Sequence, residues 1–317
     1  MRLSREQLNN LGGGIYSRSA FSCKSLPLWY DTEKAVWFYM IYLVLAIASS
    51  ATIALMMRIS SRAVKGTISM FAMNYLTCLL LGAWYAGFQL FPVRSSGFPL
   101  TVGMGAVNGI LYLAGFILLQ YNTRKNGVVL SSVFMKLGLL VPMILSIFLF
   151  AETPTGMQWI GFILAVGSIV LINYEKGTSF SGTKLPLVLM LLAGGCGDAM
   201  AKIFEVYGPA AHGDLFLFYT FASAFLLCVV LILRKKERPD KYALLFGVLV
   251  GIPNFFSAKF LLMALNHLPA VIVYPTYSVA TILVVTLSGV CLFKEQLRRL
   301  QWTALTVILA ALVMLNV

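Results

Sequence analysis

Four ionisable side chains stand inside long apolar stretches of this 317-residue chain: Lys136, Asp198, Lys202 and Lys259. A charge near the centre of a membrane-spanning helix costs at least about 2.5 to 3.5 kcal/mol, so it must face a partner or a wet cavity. Lys136 lies too far from either end of its stretch to reach an interface, and Ser132 precedes it by one helical turn on the same face. An ammonium and a hydroxyl so placed suit an anionic ligand. Asp198 and Lys202 are four residues apart, the spacing at which side chains meet on one helix face. Two readings stay open for them: a self-neutralised pair that eases insertion, or a titratable Asp198 whose proton uptake frees Lys202. Lys259 stands about one turn from the end of its stretch, where snorkelling is a fair account.

Amides and rings complete the set. Asn74, Asn108 and Asn254 are mid-span hydrogen-bonding groups, and Tyr112, Tyr274 and Tyr277 can stack on or orient a solute, although each can equally bridge helices. Pro142, Pro253 and Pro275 interrupt backbone bonding within the stretches, which bends a helix and frees carbonyls. No stretch carries a Ser/His or paired-carboxylate constellation, so the expectation is a protein that is not an enzyme. Cys23, Cys78, Cys196, Cys228 and Cys291 form no CxxC pair, and His212 and His267 are the two histidines. Neither a metal nor a cofactor is expected from such a set. Gly103-Met-Gly105 matches the start of a dinucleotide fingerprint but lies in an apolar stretch and follows no strand.

The elements that hold these groups are set by composition. Sixty percent of residues are hydrophobic, 11% are charged and the mean hydropathy is +0.87, values that mark an integral membrane protein. Ten apolar runs approach the roughly 20 residues a spanning helix needs: 35–57, 67–91, 100–120, 127–151, 156–173, 185–204, 213–233, 242–263, 270–293 and 300–317. They lack the period-2 alternation of barrel strands, so the fold class is all-α. Short connections leave no room for a soluble domain, which places function inside the membrane.

The second half of the chain repeats the first. Residues 127–173 laid on 270–316 match at ten of forty-seven positions, including Phe150/Phe293, Glu152/Glu295, Gln158/Gln301, Trp159/Trp302 and Asn173/Asn316. At an offset shorter by one residue, Gly105 and Gly109 meet Gly247 and Gly251, small-xxx-small spacings that read as helix-packing seams. The expected domains are a polar tail 1–34, a first five-helix repeat 35–173, a linker 174–184 and a second repeat 185–317.

Basic residues orient the spans. Loops after odd-numbered spans carry fifteen Lys and Arg, whereas the even loops carry only Arg94. The odd loops are therefore cytoplasmic. Equivalent loops of the two repeats carry opposite bias, as an odd number of spans per repeat requires, so the repeats are inverted. The tail, with Arg2, Arg5, Arg18, Lys24 and Lys34, runs against this sidedness and has no apolar core of a signal peptide. The loops also account for the net charge of +13, which makes nucleic acid an unsuitable partner.

Two inverted five-helix repeats, each running into Phe-x-Glu (Phe150-Ala-Glu152; Phe293-Lys-Glu295), then Gln-Trp and a helix ending in Asn, resemble EamA-type members of the drug/metabolite transporter superfamily. The resemblance covers about residues 35 to 317. It implies ten helices around a central cavity and transport of a small metabolite. Related antiporters of that superfamily set a fourth-helix lysine against an anion, a role the resemblance suggests for Lys136. Multidrug members use a glutamate in the first span, which this chain lacks there. Glu152 and Glu295 read as devices at span ends, outside the cavity.

The expected function is secondary transport of a small polar solute, anionic if Lys136 anchors it, across a bacterial inner membrane by alternating access. Substrate contacts are assigned to Lys136, Ser132, Asn108, Tyr112, Asn254, Tyr277 and Lys259, and proton coupling to Asp198 and Lys202. Expected partners are the solute, membrane lipids, a proton or counter-solute, and a second copy as homodimer. The alternative is an exporter of amphipathic cations using Asp198; a receptor, a channel and an intramembrane enzyme are lesser readings.

Overall fold

The computed structural model describes residues 32–60, 63–64, 66–92, 95–126, 134–135, 137–172, 185–294 and 299–316. Ser132, Lys136, Glu295, Asn173, nearly all of the tail and the linker lie outside them. The described residues form ten α-helices: α1 (Thr32–Ser60), α2 (Thr67–Tyr85), α3 (Phe98–Asn126), α4 (Leu140–Phe150), α5 (Gly156–Ile172), α6 (Leu185–Tyr207), α7 (Gly213–Lys235), α8 (Lys241–Leu265), α9 (Ala270–Phe293) and α10 (Arg299–Leu315). A single 3-10 turn, Ala210–His212, leads into α7.

Seven of these are long and apolar enough to cross a membrane, while α4, α5 and α10 are shorter. Of the expected fold class the all-helical membrane character is shown, with seven spans of full length among the described residues where ten were expected. The start of the fourth expected span, residues 127–133, lies outside the described residues; residues 134, 135 and 137 are helical, and a turn at Gly138 and Leu139 separates them from α4. Hydropathy reports what side chains prefer, and an apolar turn scores the same as an apolar helix. In the other direction, α3 continues to Asn126 and α6 to Tyr207, past the ends of their apolar runs.

Helix ends are built by specific contacts. Thr155 and Gln158 form a reciprocal capping box at the start of α5: the Thr155 N–H donates to Gln158 Oε1 (3.0 Å) and the Gln158 N–H to Thr155 Oγ1 (3.3 Å). Asp240 caps α8 by accepting from the Ala243 N–H at 2.7 Å. Helix α2 starts after Gly66, which has no capping side chain, and Glu237 from the α7–α8 connection accepts from the Ser69 N–H (2.8 Å) and hydroxyl (2.9 Å) instead. Ala151 after α4 and Lys294 after α9 both adopt left-handed backbone, φ 53° in each. These two residues are equivalent in the internal repeat, so the duplication extends to backbone geometry.

The pairings of α2 with α8 and of α3 with α7 also exchange under that equivalence. Helix α2 packs on α7 and α8, and α3 packs on α7 and α6; α5 packs on α10, and α4 lies against α6 and α9. The two closest seams, α3 on α7 and α2 on α8, are equivalent and depend on glycine. A Cβ at Gly105 would lie 2.7 Å from Tyr219 Cβ, and one at Gly109 would overlap Ser223 Oγ and the Thr220 carbonyl. On the other seam a Cβ at Gly247 would lie 2.8 Å from the Met70 carbonyl, and one at Gly251 2.8 Å from that of Asn74. Around α2, α3 and α7 the core is aromatic, with Tyr75, Phe216, Phe221 and Phe255 fully buried.

Candidate functional site

Helix α6 threads the polar interior. Its Gly197 is buried, and a Cβ there would lie 3.3 Å from the Tyr112 ring and 3.7 Å from Asn108 Oδ1, so glycine lets α3 lay both side chains across α6. The Asn108 amide donates to Thr220 Oγ1 on α7 (3.4 Å). Its Oδ1 and the Tyr75 hydroxyl are the buried neutral polar atoms without a hydrogen-bond partner among the described residues. Buried polar atoms are nearly always satisfied, by protein or by an ordered molecule.

One residue on from Gly197, Asp198 lies within electrostatic range of the hydroxyls of Tyr112, Tyr274 and Tyr277. The Tyr274 hydroxyl donates to the Asp198 carbonyl at 2.7 Å. Tyr277 shares a hydrogen bond of 2.9 Å with Ser257 Oγ on α8 and also reaches Ser50 on α1. Asp198, Tyr112 and Tyr277, expected from sequence as site residues, are therefore brought together, and Asn108 lies beside them. Asn254 bridges two helices. Its amide donates to Asn74 Oδ1 across the α2–α8 seam at 3.2 Å, the helix-bridging role open to it from the start.

Lys202 and Lys259 differ from expectation in their partners. Lys202 turns to Glu152 Oε1 (3.1 Å) and Glu205 Oε2 (2.8 Å), where a pair with Asp198 was expected. Glu152 does follow the end of a helix, but it is not idle there. The left-handed turn at Ala151 aims it back into the protein, and its Oε2 accepts from the Val271 N–H in the first turn of α9 (3.0 Å). Lys259 forms an ion pair of 2.6 Å with Asp214 and lies 3.8 Å from the centre of the Tyr85 ring. The pair borders a cavity of about 220 Å³ that Leu217, Leu262 and Asn266 also line. Snorkelling is thus replaced by a tertiary partner.

Glu152, Glu205, Asp214, Tyr85 and Ser257 are the residues that sequence reasoning missed as contributors. A signal existed for one of them, since Glu152 is identical between the repeats. Among the described residues no three His, Cys, Asp or Glu side chains gather as a metal would need.

His267, in the α8–α9 connection, stacks on Tyr39 with ring centres 3.8 Å apart. Burial holds it below its ordinary value of 6.5, and the charge of Glu205 opposes that shift. The folded state thus favours neutral His267. Its contribution to stability is complete above pH 6.5 and is lost as pH falls from there through the lower folded value. Thermal midpoints measured between about pH 5 and 7 should fall with acid, and His267→Phe, which keeps the ring contact, should flatten that slope. An unchanged slope would remove His267 from the account.

With its described residues helical and seven of the helices long and apolar enough to cross a membrane, the chain is a multi-pass membrane protein. A model of the EamA-like transporter family matches it twice, at residues 39–174 and 185–317. The chain belongs to that family, and so to the drug/metabolite transporter superfamily. An uncharacterised protein of Haemophilus influenzae is 23% identical over 286 residues, spanning 85% of this chain and 95% of its own. A solved crystal structure of 14% identity shares the fold, with a TM-score of 0.71 over 87% of this chain and 95% of that one.

Proposed function

We propose that this chain is a secondary transporter that carries a small polar organic solute across a bacterial inner membrane by alternating access. In this reading ten spans form two inverted repeats, 35–173 and 185–317, joined by 174–184 around a central cavity. The observation that carries it is the convergence of Asp198, Tyr112, Tyr274 and Tyr277, with Ser257 and Ser50, from five helices of both halves in an otherwise apolar interior. A packing core has little use for so many polar groups within electrostatic range of one another, whereas a solute site needs them. Lys136 and Ser132 supply the anionic preference, Asn108 a further polar contact, and Asp198 with Lys202 the coupling to protons.

A second reading, export of an amphipathic cation, is favoured by one observation: a carboxylate within electrostatic range of three tyrosines offers charge, and the rings offer aromatic faces, to a cation. Thermal stability of the purified protein across carboxylates, phosphorylated metabolites, neutral amino acids and lipophilic cations separates the two. A ligand at a hundred times its dissociation constant stabilises by about 2.7 kcal/mol. Stabilisation by an anion that disappears in Lys136→Ala supports the first reading. Stabilisation by a cation that disappears in Asp198→Asn supports the second. Absence of saturable flux in vesicles for every class would end the transport reading.

A further inference from the structure

We infer that Lys202 is a transferable tie between the two halves: Glu152 and Glu205 share it here, and the conformational change of transport hands it over to Glu205 alone. This rests on the transport reading above. Glu152 belongs to the first half and follows α4, whereas Lys202 and Glu205 belong to α6 and Val271 to α9 in the second half. One carboxylate therefore straps the end of α4 to two helices of the opposite half, and any rocking of the halves at this end has to break it.

The difficulty in breaking it is the ammonium. Lys202 is about 10% exposed in its side chain, and a buried lysine stripped of its only partner carries a large desolvation cost. Glu205 removes that cost. Three residues on along α6 and 2.8 Å away, it moves with Lys202 as one body and keeps it neutralised after Glu152 departs. Glu152 and Glu205 are more exposed, 15% and 22%, so the departing carboxylate reaches water more readily than the ammonium could. The surroundings fit a contact that forms and parts. Phe150 places its ring 5.8 Å from the Lys202 ammonium and 6.2 Å from the Tyr207 ring, an apolar lid over the pair. From the α8–α9 connection His267 faces Glu205, and α9 contributes the Val271 N–H and the Tyr274 hydroxyl. Two carboxylates on one ammonium leave a local excess of negative charge, which makes release of one of them easier than release from a matched pair.

Spin labels at Met157 and Val206, both exposed, straddle the tie. They are introduced into the full chain in lipid nanodiscs with Cys23, Cys196 and Cys291 replaced, while Cys78 and Cys228 are buried and stay. Glu152→Gln should add or enlarge a longer-distance population in pulsed dipolar spectra. Glu205→Gln should do the opposite and collapse the distribution onto the short distance, because the second acceptor is gone. Glu152→Asp, which keeps the charge with a shorter reach, should fall between and serves as the folded comparator if Glu152→Gln is unstable. Distributions that are the same in all variants, or that shift in the same direction, overturn the handover and leave a rigid strut. The readout needs no solute: saturable flux with unmoved distances defeats only this inference, and shifting distances without flux of any solute defeat only the transport reading.

Discussion

Replacing Lys202 with Met should destabilise the folded protein by about 3 to 5 kcal/mol, the range for removing one partner from a buried ion pair. The loss is large because two carboxylates, Glu152 and Glu205, are left together in a half-buried space with no cation between them. The Val271 N–H still binds Glu152, so that carboxylate cannot simply swing away. Adding Glu152→Gln and Glu205→Gln to the Lys202→Met chain should recover most of the loss, since the repulsion and the uncompensated charge both vanish. Unfolding by denaturing detergent, followed by tryptophan fluorescence, measures the whole cycle. A single substitution costing under about 1 kcal/mol would class the cluster with exposed ion pairs, which contribute little.

Gly109→Ala should have an effect of similar size for an unrelated reason. The added methyl falls on Ser223 Oγ, the Thr220 carbonyl and the Ala224 nitrogen, and two of those three atoms are backbone that cannot rotate aside. Overpacking of a well-filled core costs about 1 to 3 kcal/mol, and an obstacle made of backbone sits at or above the top of that range. Helix α3 itself supplies the control. Gly103, less than two turns earlier, has nothing within 4 Å of a new Cβ, so Gly103→Ala should stabilise by about 0.5 to 1 kcal/mol through helix propensity. The sign reversal between two alanines on one helix is the measurable outcome, read as folded yield and thermal midpoint after detergent extraction. Equal effects would show that α3 and α7 do not meet at Gly109.

These seams were legible in the sequence, because a small-xxx-small spacing repeated at a fixed offset depends on local order and on the duplication alone. The helices were legible for a similar reason, each being a run of apolar residues, while their limits were not. The turn at Gly138 and Leu139 that interrupts the fourth apolar run is one that hydropathy does not register. Of the polar centre, the residue types could be found, since a charge or amide in an apolar run stands out. Their partners could not. The spacing of Asp198 and Lys202 favoured a local pair, but Glu152 lies fifty residues away in the chain and arrives beside Lys202 only through packing of α4 on α6. Lys259 and Asp214 are likewise joined by a contact between α7 and α8. Gln158 is identical between the repeats, and its part in a capping box follows from the Thr three positions before it.

The mirrored seams have one more consequence. Each half lays its glycine-bearing helix against the other half, so a chain of one repeat would satisfy both grooves by meeting a copy of itself face to face, as in an isologous dimer. In such an ancestor every residue of the centre appears twice and no substitution can be made on one side only. Fusion of the two copies lifts that restriction. Lys136 now stands opposite Val279 in the repeat, and Tyr277 opposite Phe134, so a cation and a hydroxyl each occur once where symmetry would have imposed two.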